Sequence, residues 1–175
     1  MKSFKMIRNI KLTLTICLVT VVSIIAETTL AETAHDNARL TELNKYWAEV
    51  SRAVNEGDFA GYKATCHEEG VLVSGVRKMS QPLSEALARW EKEFTATKSG
   101  KVETSVEFRF SQRLGDTKTA HETGIFRYST VNLEGIRQDE YIHFEGLLVN
   151  KDGKWKILME YQKSIATLEQ WQALK

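Results

Sequence analysis

Residues 102–110 read VETSVEFRF, the most regular alternation of apolar and polar residues in the chain. Successive side chains of a β-strand point to opposite faces of a sheet, so this alternation predicts a strand with one buried and one solvated face. The predicted buried positions are Val102, Thr104, Val106, Phe108 and Phe110. The stretch marks the point at which the hydrophobic pattern changes from helical to extended spacing.

Three more strands are predicted after this stretch. Residues 121–130 and 140–149 form two of them, and Asp152-Gly153 makes the hairpin turn that leads into the last. On the last strand the apolar residues again occupy alternate positions, which are Trp155, Ile157, Met159 and Tyr161. The spacing of Thr167 and Gln170 is that of a capping box, which predicts a short terminal helix.

The first half of the chain has helical spacing instead. One stripe predicts a helix that ends at Gly57, because glycine readily adopts the left-handed conformation of a helix end. Asp58 can cap a second, short helix over residues 59–64. Pro82 fits the first turn of a third helix. The two long stripes consist of Leu40, Leu43, Trp47, Val50 and Val54, and of Leu83, Leu87, Trp90 and Phe94.

A short β-branched strand at residues 71–73 separates these helices. Helices followed by antiparallel strands indicate an α+β fold, with the helices packed on one face of a curved sheet. Strand 140–149 is apolar on both faces, so its second face also needs cover, and we predict a homodimer through the sheet. The two apolar sets are Tyr141, Leu147 and Val149, and Ile142, Phe144 and Leu148.

The N-terminal region has the layout of a secretory signal peptide. A basic start precedes an uncharged run of 15 residues at 12–26, and the small residues Thr29 and Ala31 follow. A membrane-spanning helix needs roughly 20 residues, so this run is short for a membrane anchor. An uncleaved anchor is the alternative interpretation. We predict cleavage after Ala31, a secreted or periplasmic protein without membrane attachment, a flexible tail at 32–38 and one domain at 39–175.

Charge and cysteine content narrow the function classes. Cleavage would remove four basic residues and Glu27, which changes the net charge from +1 to −2. That balance provides no basic patch for nucleic acid. Only Cys66 would remain, so no internal disulfide can form, and we predict that Cys66 is a small buried hydrophobe.

Two stretches carry a resemblance to a known family. Residues 47–73 read WAEVSRAVNEGDFAGYKATCHEEGVLV, and residues 143–164 read HFEGLLVNKDGKWKILMEYQKS. They resemble the opening module and the closing hairpin of the nuclear transport factor 2-like superfamily, in particular its SnoaL-like and secreted uncharacterised branches. The likeness covers residues 38–165 and concerns packing more than chemistry.

The resemblance implies a cone-shaped, cystatin-like α+β fold. A strongly curved antiparallel sheet would wrap around the N-terminal helices, leave a pocket at the open end and often form dimers. Members of the superfamily include steroid isomerases, dehydratases, epoxide hydrolases, polyketide cyclases and proteins that only bind, so the fold alone does not select a function. This chain lacks the aspartate of the steroid isomerases and the Asp-Arg-Asp set of the epoxide hydrolases.

Four possible metal ligands stand in a row at Cys66, His67, Glu68 and Glu69. A zinc site needs ligands that converge from separate elements or recur at helical spacing, whereas adjacent side chains point in different directions. We therefore predict no metal and no cofactor, and interpret residues 68–70 as a solvated turn. His67 alone could face the mouth of the pocket.

His143 and Glu145 are the candidate acid–base pair. Residues i and i+2 of a strand share a face and lie about 7 Å apart, and a carboxylate beside an imidazole can prepare a general base. Tyr128 could then donate a hydrogen bond to a substrate carbonyl. The alternative interpretation places the pair on the outer, dimer-side face and makes Tyr128 a structural residue.

Aromatic side chains on the apolar stripes can also line a pocket for a small apolar or aromatic ligand. The candidate ligand-binding residues are Trp47, Tyr62, His67, Trp90 and Tyr161. Three functions stay open. We favour a secreted or periplasmic small-molecule-binding protein over a cofactor-free isomerase, dehydratase or hydrolase that uses His143 as base and Glu145 to orient it. The third is a dimerisation module with a vestigial pocket.

Overall fold

The computed structural model describes residues 35–174 of the chain. The chain divides into two compact units, residues 1–39 and residues 40–175. The described part of the first unit, residues 35–39, is helical. Within the described residues, each helix is too short or too polar to cross a membrane.

Two predictions concern the N-terminal region. The signal peptide at residues 1–31, with its cleavage after Ala31, lies outside the described residues. Of the flexible tail predicted at 32–38, residues 35–38 are helical and residues 32–34 are not described. The secreted or periplasmic location therefore stays a prediction.

The described helices lie where the hydrophobic stripes predict them. Gly57 ends the first helix with a φ of 65°. A Cβ atom there would lie 2.5 Å from both the Phe94 carbonyl oxygen and the Lys98 amide nitrogen, so only glycine fits. Asp58 caps the second helix by accepting a 2.9 Å hydrogen bond from the Gly61 amide. The helices are α1 (35–56), α2 (Phe59–Ala64), α3 (Leu83–Lys98) and α4 (Leu168–Ala173).

The strands form one six-stranded sheet in the order β2-β1-β6-β5-β4-β3. Neighbouring strands are antiparallel, except for β1 and β6, which are parallel. Helices α1 to α3 cover one face of the sheet, as the α+β prediction requires. The strands are β1 (Cys66–Ser74), β2 (Met79–Pro82), β3 (Val102–Gly115), β4 (Thr119–Asn132), β5 (Arg137–Lys151) and β6 (Lys154–Ile165).

The region between α2 and α3 differs from the prediction. Residues 68–70 belong to β1 and are not a turn, because a shift in register between Cys66 and Val71 lets the strand start earlier. The short strand β2 was not predicted, since its mostly exposed residues show no apolar alternation. Pro82 ends β2 and is the N-cap of α3 rather than its first residue.

The inner face of the sheet, which faces α1 to α3, carries the main core. Trp47 of α1 lies at its centre, with ring centroids 4.4 Å from Phe108, 5.6 Å from Phe110 and 5.7 Å from Phe144. The buried face predicted for residues 102–110 is therefore confirmed. Trp90 of α3 is half-buried and packs against the same core.

Helix α4 covers part of the opposite, outer face. Trp171 is buried there against Ile125 and Tyr141. Arg109 holds the helix end, because its Nη1 donates 2.8 Å hydrogen bonds to the carbonyl oxygens of Trp171 and Leu174. The outer face thus has a small core of its own. Helix α4 therefore buries part of the second apolar face of β5, which the sequence predicts must be shielded from solvent.

A buried ion pair between two strands of the sheet receives a hydrogen bond from α1. The Glu122 side chain of β4 is fully buried and accepts hydrogen bonds from Arg113 Nε at 2.7 Å and Arg113 Nη2 at 3.1 Å. The Trp47 indole N–H donates to the same carboxylate. Paired in this way, the buried charge is compensated, and the pair sets the position of α1 on the sheet.

An irregularity in β3 makes this pair possible. Phe110 pairs with Gly124 and Gln112 pairs with Thr123, so Ser111 is an extra residue in the ladder. One extra residue exchanges the two faces of the strand beyond it. Without this bulge Arg113 would lie on the outer face and Glu122 would have no cation beside it.

We expect Glu122→Gln to lower the free energy of unfolding by about 2–3 kcal/mol, because Arg113 would lose its buried counter-charge. Urea denaturation measures this change. The control is Glu107→Gln, which removes an exposed carboxylate paired with Arg127 on the outer face and should cost at most about 1 kcal/mol. Equal costs for the two variants would contradict the role assigned to Glu122.

Candidate functional site

The core leaves a cavity of about 580 Å³ between the helices and the inner face of the sheet. Its walls come from α1, α2 and α3 on one side and from all six strands on the other. Most of the wall is apolar. The aromatic residues of the wall are Tyr46, Trp47, Tyr62, Trp90, Phe94, Phe108, Phe126, Tyr128 and Phe144.

A bulge in β6 decides which side chains of that strand enter the cavity. Ile157 pairs with Leu148 and Met159 pairs with Leu147, so Leu158 is an extra residue. The alternation predicted for Ile157, Met159 and Tyr161 is therefore wrong beyond Ile157. Met159 and Tyr161 lie on the outer face, and Tyr161 does not line the cavity.

The same bulge turns Glu160 and Gln162 into the cavity. Burial raises the pKa of the Glu160 carboxyl, and one hydrogen bond opposes this effect, from Gln162 Nε2 to Glu160 Oε1 at 2.7 Å. Within the described chain, no cation lies within ion-pair distance of Glu160. Glu160 is thus a carboxyl group in a mostly apolar wall without a counter-charge.

Two neighbouring strands extend this polar region. Leu72 of β1 pairs with both Gln81 of β2 and Glu160 of β6, and Ser74 of β1 pairs with Gln162. Ser74, Gln81, Glu160 and Gln162 all line the cavity, and we call them the polar patch. The patch offers hydrogen-bonding groups at one place in an otherwise apolar wall.

Gln81 contributes an unused donor to this patch. Its side chain is buried, and its Oε1 accepts a 3.0 Å hydrogen bond from Arg89 Nη1. Its Nε2 has no hydrogen-bond partner among the described residues. A buried polar atom without a partner is costly, so this donor is available to hydrogen-bond a further polar atom.

Among the other ionisable groups of the wall, Tyr62, Tyr128 and Cys66 stay protonated near neutral pH. Burial raises the pKa of Tyr62 well above its ordinary value, and it raises the pKa of Tyr128 to about 12. Both hydroxyls are therefore neutral hydrogen-bonding groups. Burial also raises the pKa of the Cys66 thiol to about 12, so Cys66 is the inert, buried residue that the sequence predicts.

The predicted acid–base pair lies on the outer face, away from the cavity, and its two members do not contact each other. His143 Nε2 lies 3.2 Å from Gln170 Oε1 of α4. Glu145 instead binds Lys163 at 2.6 Å and His121 at 3.2 Å. The physical reason is that Ile142, Phe144 and Leu148 take the inner face of β5, which leaves the odd-numbered residues outside.

Some of the other predicted site residues line the cavity and some do not. The candidate ligand-binding residues Trp47, Tyr62 and Trp90 line the cavity, and so does Tyr128, the candidate hydrogen-bond donor of the enzyme hypothesis. His67 does not; its Nδ1 accepts a hydrogen bond from a backbone amide two residues along β1. In the part of the chain that the structure describes, no three His, Cys, Asp or Glu side chains are placed to hold a metal ion.

Sequence reasoning missed the polar patch. Glu160 and Gln162 occupy positions that strict alternation assigns to the outer face, and Gln81 belongs to a strand that was not predicted. The one signal available was a carboxylate and an amide two residues apart on a strongly apolar strand. That signal does not reveal a bulge.

Comparison with known proteins identifies the family. Residues 39–167 match the model of the calcium/calmodulin dependent protein kinase II association domain. No curated protein matches the chain.

Solved structures with the same fold come from several bacteria. A conserved protein from Planctomyces limnophilus has a TM-score of 0.61 at 12% identity, over 71% of this chain and 94% of its own. A nuclear transport factor 2-like protein from Salmonella enterica has a TM-score of 0.57 at 11% identity, over 76% and 95%. A ketosteroid isomerase-like protein from Erwinia carotovora has a TM-score of 0.53 at 16% identity, over 71% and 95%.

These likenesses show the fold and agree with the resemblance found in the sequence. Helices followed by a curved six-stranded sheet form the cone of the nuclear transport factor 2-like superfamily. The family model covers most of the chain. The protein belongs to the calcium/calmodulin dependent protein kinase II association domain family, within the nuclear transport factor 2-like superfamily.

Proposed function

We propose that the protein binds a small, largely apolar molecule in the cavity, and that it does so outside the cytoplasm once the predicted signal peptide is cleaved. The observation that carries the proposal is the open cavity itself, about 580 Å³ in volume and walled by aromatic rings. Ligand sites in proteins are typically apolar pockets of this size with a few polar groups that fix orientation. The polar patch supplies such groups.

The unpaired Gln81 donor and the Glu160 carboxyl support this proposal further. Both belong to the patch, and neither is needed to hold the sheet together, because the strands pair through their backbones. Buried polar groups without full partners are rare in proteins unless a ligand or water satisfies them. A bound ligand with an apolar body and one polar end would pack against the apolar wall and form hydrogen bonds with the polar patch.

The geometry gives no support to an enzyme that uses His143 as its base. His143 and Glu145 lie on the outer face, so neither can reach a molecule in the cavity. A vestigial pocket is also not favoured, since the cavity is not filled by side chains. The names of the solved relatives include both isomerase-like proteins and proteins of unknown function, so the fold does not decide between binding and catalysis.

We also propose that the domain forms a homodimer through the outer face of its sheet. Leu147, Met159 and Tyr161 are half-buried there and form a patch beside the part that α4 covers. The family takes its name from association, which is said of the kinase domain and supports the proposal here. A dimer through this face would leave the cavity free, because the cavity opens from the inner face.

A ligand that occupies the cavity should raise the melting temperature. For a panel of steroids and bicyclic aromatic compounds, we expect a shift of roughly 5–10 °C at a concentration about 100 times the dissociation constant. Ala96→Phe should reduce this shift, because Ala96 of α3 lines the cavity and a phenyl ring would occupy part of the space. Thermal unfolding with and without each compound measures the effect.

The matched control is Ala88→Phe on an exposed position of the same helix, which should keep the shift. The melting temperature of each variant without ligand shows whether it is folded. A panel without any shift, or an equal shift in both variants, would contradict binding in the cavity.

The pH dependence of the free energy of unfolding should reveal the raised pKa of the Glu160 carboxyl. Burial raises its pKa in the folded state above the ordinary value of 4.5, so the folded chain holds a proton that the unfolded chain releases. Stability from this group is therefore lost as the pH rises from about 4.5 towards the folded pKa. We expect Glu160→Gln, which cannot ionise, to become progressively more stable than the natural protein over that window.

Glu145→Gln provides a control of opposite sign. The hydrogen bond from Lys163 lowers the pKa of Glu145, and His121 adds to the effect, so Glu145 stabilises the fold above pH 4.5 and loses this contribution as the pH falls through its folded pKa. Above pH 4.5, Glu145→Gln should therefore be less stable than the natural protein. Urea denaturation between pH 4 and 9 measures both differences, and a flat difference for Glu160→Gln would be inconsistent with its burial.

The dimer has a separate test. Leu147→Lys should convert the dimer to a monomer in analytical ultracentrifugation, because it places a charge in the apolar patch of the outer face. Leu133→Lys makes the same change at a turn residue that is 81% exposed and should leave the dimer intact. A natural protein that sediments as a monomer would rule the interface out.

A further inference from the structure

We propose that the ligand of this cavity is an organic amine with an apolar body, whose ammonium group forms an ion pair with Glu160. This inference rests on the proposed binding function and specifies its chemistry. It depends on two observations: among the described residues no cation forms an ion pair with Glu160, and aromatic residues line the cavity with it.

The first argument is the missing counter-charge. Glu160 lines the cavity and receives a single hydrogen bond, from Gln162 Nε2. Among the described residues half-buried Glu160 has no ion pair, whereas the fully buried Glu122 carboxylate is bound by Arg113 through two hydrogen bonds. A carboxylate in a mostly apolar wall is costly without a cation, so a cationic ligand would gain binding energy at this position.

The second argument is the aromatic character of the surrounding wall. Burial raises the pKa of the Tyr46 and Tyr62 hydroxyls; the charge of Glu160 adds to the effect at Tyr62 and, after that of Cys66, at Tyr46, so both hydroxyls lie near Glu160. Trp90 lies 6.1 Å from Tyr62 between ring centroids. The faces of such rings attract cations, and this attraction is strongest where water is excluded.

The third argument is the distribution of the remaining charges. Arg77 and Arg89 also line the cavity, but both are exposed at its entrance, and Arg89 already donates to Gln81 Oε1. Glu93 and Glu140 are exposed at the same entrance. Among the described residues no cation lies within ion-pair distance of Glu160, so an anionic group beside this carboxylate would meet a like charge. The ammonium group of an amine would instead be attracted by the Glu160 carboxylate.

The proposal also predicts how binding depends on pH. A proton on Glu160 competes with the amine, so affinity should fall as the pH decreases through the titration of this carboxyl, while the aliphatic amine itself stays charged. The titratable and charged groups that line the cavity with Glu160 are Tyr46 on α1, Tyr62 on α2, Cys66 on β1, Arg77 in the turn before β2, Arg89 and Glu93 on α3, Tyr128 on β4 and Glu140 on β5. Histidine is absent from this set.

Isothermal titration calorimetry with three related probes tests the proposal. The probes are 2-(2-naphthyl)ethylamine, 2-(2-naphthyl)ethanol and 3-(2-naphthyl)propanoate, which share one apolar body and differ in charge. At pH 8 we expect the amine to bind at least about tenfold more tightly than the alcohol, and the propanoate to bind most weakly. Lowering the pH to 5 should weaken the amine more than the alcohol.

Two variants connect the preference to its residue. Glu160→Gln should weaken amine binding about tenfold or more and leave alcohol binding within about twofold. Glu93→Gln removes the same charge at the cavity entrance and should weaken the amine by less than about threefold. The alcohol result also shows whether the Glu160→Gln variant keeps a functional cavity.

The outcomes separate this inference from the proposed function. Binding of the alcohol or propanoate as tight as that of the amine, or an amine affinity that Glu160→Gln does not change, would overturn the assignment while ligand binding in the cavity stands. Absence of binding by all three probes would contradict both proposals. A preference for the amine that Glu93→Gln removes and Glu160→Gln keeps would place the cation site at the entrance instead.

Discussion

The contact between the Trp47 indole and the fully buried Glu122 carboxylate is the constraint on which the rest of the structure depends. Apolar packing alone would let α1 slide along the sheet, since it has no preferred direction. The hydrogen bond sets one position, and Arg113 must then neutralise the carboxylate. With the Trp47 ring fixed over Phe108 and Phe144, the helix fills one part of the cone and leaves the other part open.

Two extra residues in the strands create the chemistry of the inner face. The bulge at Ser111 turns Arg113 towards Glu122, and the bulge at Leu158 turns Glu160 into the cavity. Each reverses which side chains face inwards beyond it. The two carboxylates have opposite settings as a result: Glu122 is paired within the chain, while Glu160 keeps its capacity for a partner. The structural charge of Glu122 and the charge proposed to bind a ligand at Glu160 thus arise by the same device.

The two faces of the sheet separate the two proposed activities. The inner face carries the cavity, and the outer face carries the apolar patch and helix α4, which Arg109 holds through the last carbonyl groups. His143 and Glu145 belong to the outer face, where α4 and Lys163 engage them. Their contacts there are structural in kind. Ligand binding and self-association could therefore change independently of each other.

The sequence by itself determined the change from helical to alternating spacing, the end of α1 at Gly57 and the buried face of residues 102–110, because these depend on neighbours within a few positions. It also indicated that Trp47 and Trp90 pack towards the sheet. Only the tertiary structure decided that Glu160 faces the cavity and that His143 does not. A bulge arises where distant strands must pair in one register around the helices, and the periodicity of a single strand contains no information about its partners.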